Sequence, residues 1–202
     1  MRRIYNIWLM AVLLVPFSVY GLVTWYQSRF SALPVLGPDS HRIADFRLQN
    51  QHGQAVSLKD WESKIVVANY FFTHCPAICP KMVYQLKRVQ AYAGVENLFI
   101  ASFTVDPERD STARLQAYAT KHGLLKNWDL LTGDKKELYR LARNAFLVSA
   151  TDGDGGPDDF IHSEKLVLID TQKRIRGFYS GTEEAEVNQL IKDIKKLALE
   201  RR

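Results

Sequence analysis

The chain has 202 residues, of which 47% are hydrophobic, and a formal net charge of +5. That length suits one domain of ordinary size plus an additional segment, and that composition supports a hydrophobic core without disulfide crosslinks. The charge falls to +2 once three arginines that flank an uncharged N-terminal segment are set aside. Because the rest of the chain is nearly balanced and has no basic stripe, a nucleic-acid-binding protein is disfavoured.

The N-terminal segment has no charged residue from Ile4 to Ser28. About 20 apolar residues are enough to cross a bilayer. Trp8, Trp25 and Tyr26 lie near the two ends of the segment, where interfacial aromatic residues are expected. A cleaved signal peptide would have a shorter apolar region, of about 7–15 residues. We therefore predict an uncleaved transmembrane helix and a membrane anchor over residues 1–29.

The arginines around this segment predict its orientation. Arg2 and Arg3 precede it, and only Arg29 follows it closely, so the positive-inside rule places the N-terminus in the cytoplasm. Three residues before the segment leave no room for a mitochondrial transit peptide. We therefore expect a single-pass protein of the bacterial inner membrane whose soluble domain faces the periplasm. Residues 30–40 contain two prolines and a glycine and are interpreted as a linker to a domain over residues 41–202.

The elements of that domain are predicted from hydrophobic periodicity. Ile65–Phe72 and Leu98–Val105 are continuous β-prone runs, typical of strands that are buried on both faces. Four helices are predicted. The first follows the Ile65–Phe72 strand, the second spans 111–122, and the fourth lies at the C-terminus. The third begins at an N-cap, Asp134, with Glu137 three residues later. Strands that alternate with helices indicate a layered α/β domain. The shorter predicted strands are Phe46–Leu48, Ala55–Leu58, Trp128–Leu131, Leu166–Ile169 and Ile175–Tyr179.

Both cysteines of the chain, Cys75 and Cys79, lie in the segment NYFFTHCPAICPK at 69–81, between a predicted strand and a predicted helix. A helix start offers unpaired N–H groups and a positive dipole end, which favour thiolate over thiol. Pro76 or Pro80 could be the first helical residue. A helix from Pro76 would lack the N–H of Pro80, so we expect an irregular turn between the cysteines.

Cysteines four residues apart are compatible with two kinds of chemistry. On a regular helix their Cβ atoms would be roughly 5–6 Å apart, whereas a disulfide needs about 3.5–4.5 Å. A metal bridge tolerates the wider spacing because each zinc–sulfur bond, for example, is about 2.3 Å long. The pair therefore fits a soft metal ion, Cu(I) in particular, or, with a distorted turn, a disulfide.

A third metal ligand could come from one of five histidines. His74 adjoins Cys75, and neighbouring side chains tend to point apart, so it is disfavoured. His162 follows a loop rich in glycine and aspartate, and by its residues alone it would be interpreted as a solvent-exposed loop histidine. The other three are also expected to face solvent. They are His41, His52 and His122.

Three motifs, in this order along the chain, resemble the SCO/SenC family of copper proteins. They are THCPAICP (73–80), VDPERD (105–110) and His162-Ser163 shortly before LVLID. The segment RGFYSGT (176–182) adds to the match. The resemblance covers about residues 40–200 and implies a thioredoxin-like α/β domain held on a membrane anchor.

The resemblance also implies a function. It makes Cys75 and Cys79 the copper thiolates and His162 the third ligand. Family members assist copper loading of the dinuclear centre in cytochrome c oxidase subunit II, by delivering the metal or by reducing its cysteines. We therefore expect a copper chaperone whose partner is that subunit or another copper protein. The alternative is a thiol–disulfide oxidoreductase, in which the two cysteines would be catalytic and His162 would not be required.

Two further alternatives fit less well. A peroxidase of the thioredoxin superfamily would have threonine three residues before its cysteine, whereas Thr73 is two residues before Cys75. A structural zinc site would lack its fourth ligand.

Two acidic segments receive no catalytic role. Asp106–Asp110 follow a predicted strand, and the carboxyl ends of strands border ligand crevices in α/β sheets. They are equally compatible with a turn and a helix entry. The loop at 151–161 has alternating aspartates like an EF-hand, but Ser163 stands where the bidentate Glu is needed and Pro157 interrupts the pattern. It is interpreted as a solvated loop.

Overall fold

The computed structural model describes residues 12, 14–24, 32–38, 41–148 and 163–200. Residues 12 and 14–24 are helical. Among the described residues, no helix has both the length and the apolar character needed to cross a bilayer. The anchor over residues 1–29 lies in part outside the described residues and stays a prediction.

The chain divides into two compact units, Met1–Ala32 and Leu33–Arg202. The second unit has seven described strands and four described α-helices. The strands are β1 (Arg47–Gln49), β2 (Ala55–Ser57), β3 (Ile65–Phe71), β4 (Leu98–Thr104), β5 (Trp128–Leu131), β6 (Lys165–Ile169) and β7 (Ile175–Ser180). The helices are α1 (Ile78–Ala93), α2 (Thr112–His122), α3 (Lys135–Arg140), which continues into a π-helical turn (Leu141–Ala145), and α4 (Glu184–Leu199).

Five strands form one sheet in the order β5-β4-β3-β6-β7. The strands β3, β4 and β5 are parallel, whereas β6 and β7 are antiparallel to their neighbours. The strands β1 and β2 form a separate antiparallel hairpin. This arrangement confirms the predicted layered α/β domain, and each predicted strand is present to within two residues.

The parallel pairing of β3 and β4 brings their C-terminal ends together. Ile65 is paired with Leu98 at one end and Phe71 with Thr104 at the other. The backbone N–H of Val105 donates to the Phe71 carbonyl oxygen at 2.9 Å, so the pairing extends to the last residue of β3. The segments that follow the two strands therefore leave the sheet side by side.

The core has two parts, one on each face of the sheet. All seven residues of β3 are buried, as predicted for a strand covered on both sides. Val66, Ala68 and Tyr70 pack with the hairpin, Trp61 and the α3 region. The alternate residues of β3 pack with α1, α2 and α4. The period of two along a strand explains why one continuous apolar run serves both layers.

The helix ends follow the capping rules that the sequence indicates. The side chain of Asp134 accepts a hydrogen bond from the N–H of Glu137, which confirms the predicted N-cap of α3. The carboxylate of Glu137 binds Arg140 at 2.7 Å. Gly94 and Gly123 end α1 and α2 with φ of 62° and 59°, a left-handed conformation that glycine adopts without steric cost.

Replacing Leu86 with alanine should destabilise the domain through α1. The Leu86 side chain is fully buried against the sheet, and a large-to-small change in a core costs about 2–5 kcal/mol of unfolding free energy. Urea unfolding followed by circular dichroism measures this loss. Tyr84→Ala on the same helix is the control, because Tyr84 is 65% exposed and should change stability by about 0.5 kcal/mol or less. Equal losses would contradict this packing of α1.

Candidate thiol and metal site

The chain leaves β3 at Phe71 and enters α1 at Ile78, and Phe72–Ala77 between them form an irregular turn, called here the cysteine turn. The predicted irregularity is confirmed, but neither proline begins the helix. Ala77 is the N-cap residue. Pro80 lies within the first helical turn, where N–H groups have no intrahelical acceptor, so its missing donor costs no helical hydrogen bond.

The two cysteines meet across the start of α1. Cys75 lies in the cysteine turn and is half-buried, whereas Cys79 lies in the first turn of α1 and is buried. The backbone N–H of Cys79 donates to Cys75 Sγ at 3.5 Å. No disulfide joins the two residues. The structure therefore brings the predicted thiol pair together in its reduced form, as an arrangement of sulfur atoms at a helix N-terminus.

The surroundings of the two thiols shift their pKa values in opposite directions. Partial burial raises the pKa of Cys75, but hydrogen bonds from the Cys79 thiol and from backbone N–H groups at the start of α1 outweigh it, and the net pKa is lowered. Burial raises the pKa of Cys79 to about 12, against a backbone hydrogen bond at Phe72 that lowers it. The neighbouring Cys75 and the charge of Asp110 also contribute to this raised value. Cys75 is thus the accessible thiol that ionises first.

A buried carboxylate lies behind the cysteine turn. Asp110 follows β4 and is fully buried. It accepts hydrogen bonds from the backbone N–H of Thr73 at 3.1 Å, the Thr73 hydroxyl at 2.5 Å and the Thr104 hydroxyl at 2.6 Å. Sequence reasoning does not single out this residue. The one signal is its place in an acidic run after a strand, at the sheet edge where ligand crevices form.

A second buried side chain near the thiols is also absent from the sequence-based site. Tyr118 of α2 is buried, and its ring packs 5.5 Å from that of Phe71. Burial raises the pKa of the Tyr118 phenol, and the charges of Cys79, Cys75 and Asp110 add to that shift. The phenol therefore remains protonated beside the thiol pair over the whole neutral range.

The side chain of His74 is engaged with two charged residues. Its Nε2 atom lies 3.6 Å from Asp106 Oδ2 and 3.2 Å from Arg109 Nη1. The side chain is 41% exposed. In the part of the chain that the structure describes, no group of three or more histidine, cysteine or acidic residues converges as a metal cluster. The described residues therefore supply the two sulfur atoms of Cys75 and Cys79 at this end of the sheet and no third ligand that converges with them.

The predictions for the solvent-facing histidines are partly wrong. His52 is exposed as predicted, whereas His41 and His122 are half-buried. The Nε2 atom of His41 lies 2.9 Å from the carbonyl oxygen of Ala145. The ring of His122 lies 4.3 Å from that of Tyr118. The contact of His41 comes from a distant part of the chain, whereas that of His122 comes from Tyr118, four residues earlier on the same helix, and local polarity indicates neither.

His162 lies outside the described residues, but its neighbour Ser163 is described. Ser163 lines a small cavity together with Cys79 and Phe72. The antiparallel pairing of β6 with β3 sets Val66 opposite Ile169 and Ala68 opposite Val167. Continuing that register places Ser163 level with Phe72, at the end of β3 where the cysteine turn begins.

Comparisons with known proteins agree on one family for this chain. The SCO1/SenC family model matches residues 36–199. The chain is similar to the SCO1 protein homolog of Bacillus subtilis (strain 168), at 30% identity over 87% of this chain and 92% of that protein. It is also similar to a candidate copper-binding protein of Stutzerimonas stutzeri, at 28% identity over 71% of each chain.

Solved structures show the same fold. A SCO1/SenC family lipoprotein from Bacillus anthracis str. Ames is similar with a TM-score of 0.69 and 28% identity, over 82% of this chain and 99% of that one. BsSco, a member of the Sco family of cytochrome c oxidase assembly proteins in which a disulfide switch was identified, is similar with a TM-score of 0.68 and 30% identity, over 81% of this chain and 97% of that one. The family-model match, residues 36–199, contains both cysteines.

The opposite pKa shifts predict a large difference in thiol reactivity. Alkylation by iodoacetamide at pH 7.5 should be at least about 100-fold faster for Cys79→Ser, which retains Cys75, than for Cys75→Ser, which retains Cys79. The thiolate is the reactive form, and its fraction below the pKa falls about tenfold for each unit by which the pKa rises. Mass spectrometry of timed samples gives both rates. Similar rates in the two variants would contradict the assignment of Cys75 as the thiol that ionises first.

Proposed function

Because this chain belongs to the SCO1/SenC family, we propose that it is a membrane-anchored copper chaperone that binds copper through Cys75, Cys79 and His162. In this proposal it assists copper loading of the dinuclear centre of cytochrome c oxidase subunit II. The observation that carries the proposal is the reduced thiol pair at the start of α1, where the backbone N–H of Cys79 donates to Cys75 Sγ at 3.5 Å. The similarity to a candidate copper-binding protein of Stutzerimonas stutzeri and to BsSco, a member of the Sco family of cytochrome c oxidase assembly proteins, agrees with it.

The two sulfur donors suit Cu(I). Soft thiolate ligands select soft metal ions, and the half-buried Cys75 leaves a route to the pair from solvent. Cys75 ionises readily, whereas the raised pKa of Cys79 means that metal binding must displace its proton. Copper uptake therefore releases protons, and affinity should rise with pH, as is general for thiolate sites.

The neighbour of His162 supports the third ligand. Ser163 lines the same cavity as Cys79 and stands at the level of Phe72 in the sheet register. In this proposal the residue before Ser163 supplies the third ligand. A nitrogen donor would complete a shell of two sulfurs and one nitrogen around Cu(I).

The proposed anchor is the uncharged segment from Ile4 to Ser28. Its flanking arginines place the domain on the non-cytoplasmic side of the bacterial inner membrane in this proposal. A tether at that surface would keep the thiol site close to membrane-bound copper proteins, of which subunit II of cytochrome c oxidase is the proposed partner.

A thiol–disulfide oxidoreductase is the second candidate, and the lowered pKa of the accessible Cys75 favours it. The Cys75 thiolate would attack a partner disulfide, releasing one partner thiolate and forming a mixed disulfide. Cys79, after losing its proton, would then attack Cys75 and release the second partner thiolate. The partner gains two electrons, and the chain is left with a Cys75–Cys79 disulfide.

Replacing His162 separates the two functions. His162→Ala should lower Cu(I) affinity at least about 100-fold and should abolish oxidase assembly in cells. Mutation of a group that only orients a metal ligand typically lowers affinity about 10–100-fold, and loss of the ligand itself should cost at least as much. The same variant should keep most of its reductase activity toward a model disulfide, since exchange needs only the two thiols. Competition with a chromophoric Cu(I) chelator and an oxidase activity assay give the two readouts.

His52→Ala is the matched control, because His52 is an exposed histidine on the hairpin loop. It should change neither copper affinity nor oxidase assembly. Normal oxidase assembly in His162→Ala cells under limiting copper would remove the delivery function and leave thiol reduction in its place.

The proposed topology is tested with reporter fusions after Lys81. Alkaline phosphatase fused there should be active and green fluorescent protein dark, because the first folds with its disulfides outside the cytoplasm and the second does not fluoresce after export in an unfolded state. Enzyme activity and cell fluorescence measure the two outcomes. A fluorescent and phosphatase-negative pair would place the thiols in the cytoplasm and contradict the assembly function.

A further inference from the structure

Asp110 differs from the other buried acids of the described chain in where its hydrogen bonds lead. Asp170 forms ion pairs with Arg174 at 2.7 Å and Arg176 at 3.0 Å. Asp193 accepts hydrogen bonds from Tyr179 and Gln189 on the α4 side of the domain. Asp110 is fully buried, and no ion pair reaches it within the described residues. Its partners are one backbone N–H and two threonine hydroxyls.

These hydrogen bonds converge on the start of the cysteine turn. Thr73 binds both oxygens of Asp110, one through its N–H and one through its hydroxyl. Two residues further on, the N–H of Cys75 donates to the Phe72 carbonyl oxygen at 3.3 Å. Thr73 is therefore enclosed between the last residues of β3 and the first thiol, and Asp110 fixes it from the side of β4.

The β4 side of the network is itself held in place. Thr104, the last residue of β4, donates its hydroxyl to Asp110 and accepts from the backbone N–H of Asp106 at 3.0 Å. The N–H of Asp110 donates to the Asp106 carbonyl oxygen at 2.9 Å. The carboxylate thus stands on a closed turn at the end of a buried strand, which is a rigid base for a hydrogen bond to the neighbouring strand end.

A buried acid with neutral partners is costly for stability. Removing a carboxylate from water without a cation has a penalty that three hydrogen bonds offset only in part. Three hydrogen-bond donors point at the Asp110 side chain. A carboxylate can only accept hydrogen bonds and so suits this position, whereas an amide would bring donors of its own. A group with such a cost beside a thiol site is compatible with a function in holding that site's geometry.

We propose that Asp110 is a positioning residue for the thiol pair, acting through Thr73 to hold the cysteine turn so that Cys75 lies over the start of α1. For copper binding, this inference depends on the proposed function. For thiol exchange it stands independently, because the arrangement of the two sulfurs is the same in either chemistry.

The test compares Asp110→Asn, Thr73→Val and Asp193→Asn in the full-length chain. One readout needs no metal: the equilibrium constant for forming the Cys75–Cys79 disulfide with oxidised dithiothreitol. The other is Cu(I) affinity by competition with bicinchoninate. Asp110→Asn and Thr73→Val should shift the disulfide equilibrium at least fivefold toward the disulfide, because the reduced form loses its N–H···S geometry. Both should weaken Cu(I) binding at least fivefold.

Asp193→Asn is the matched control, since it removes a buried carboxylate that does not bind the cysteine turn. Both readouts should stay within twofold of the unmodified chain for this variant. Equal shifts in Asp193→Asn would show a general effect of lost stability and overturn the proposal. So would a folded Asp110→Asn variant with both values unchanged.

Thr73→Val decides the outcome if Asp110→Asn does not fold, because it removes one neutral hydroxyl and leaves the carboxylate in place. Unchanged values in Thr73→Val would show that the cysteine turn is not held through this bond. Where both variants fold, the double variant should show less than the sum of the two effects, since they break the same contact. An unmodified chain that binds no Cu(I) would remove the copper function, while the disulfide equilibrium would still test the positioning.

Discussion

Burial of β3 on both faces is the constraint from which the site follows. The strand lies in the middle of the sheet, with β4 parallel on one side and β6 antiparallel on the other. None of its seven residues faces water. Polar chemistry can therefore begin only where the strand ends, and the cysteine turn follows directly at that end. The parallel pairing with β4 brings the end of β4 to this edge of the sheet, and the antiparallel pairing with β6 brings the start of β6 to the same edge.

The start of α1 gives the two cysteine thiols different pKa values. Unpaired N–H groups of a helix N-terminus stabilise negative charge on Cys75. Cys79 lies one helical turn later and is packed among core residues, where burial opposes ionisation. An irregular turn is needed for this difference, because a regular helix through both residues would give them similar surroundings. The difference thus comes from the backbone and from burial, and the charge of Asp110 adds to the raised pKa of Cys79.

Copper delivery and thiol exchange share this arrangement. A soft metal needs two deprotonated sulfurs at adjustable separation, and thiol exchange needs one accessible thiolate with a second thiol in reach. The reduced pair meets both requirements, and the two functions differ in their need for a nitrogen ligand. BsSco, a relative in which a disulfide switch was identified, belongs to a family of cytochrome c oxidase assembly proteins. A change between dithiol and disulfide would itself control copper binding, since a disulfide removes the thiolates.

The strands, the layered α/β class and the thiol pair are predictable from the sequence, because these features depend on local patterns. Continuous apolar runs specify buried strands, and two cysteines four residues apart remain neighbours in any compact turn. The sequence also indicated the family, through three motifs in order. The contact between Asp110 and Thr73 is visible only in the folded structure, since it joins residues 37 apart in the chain through the register of β3 and β4. The partial burial of His41 likewise depends on a distant residue, because its ring contacts the carbonyl oxygen of Ala145, and local polarity does not indicate that contact.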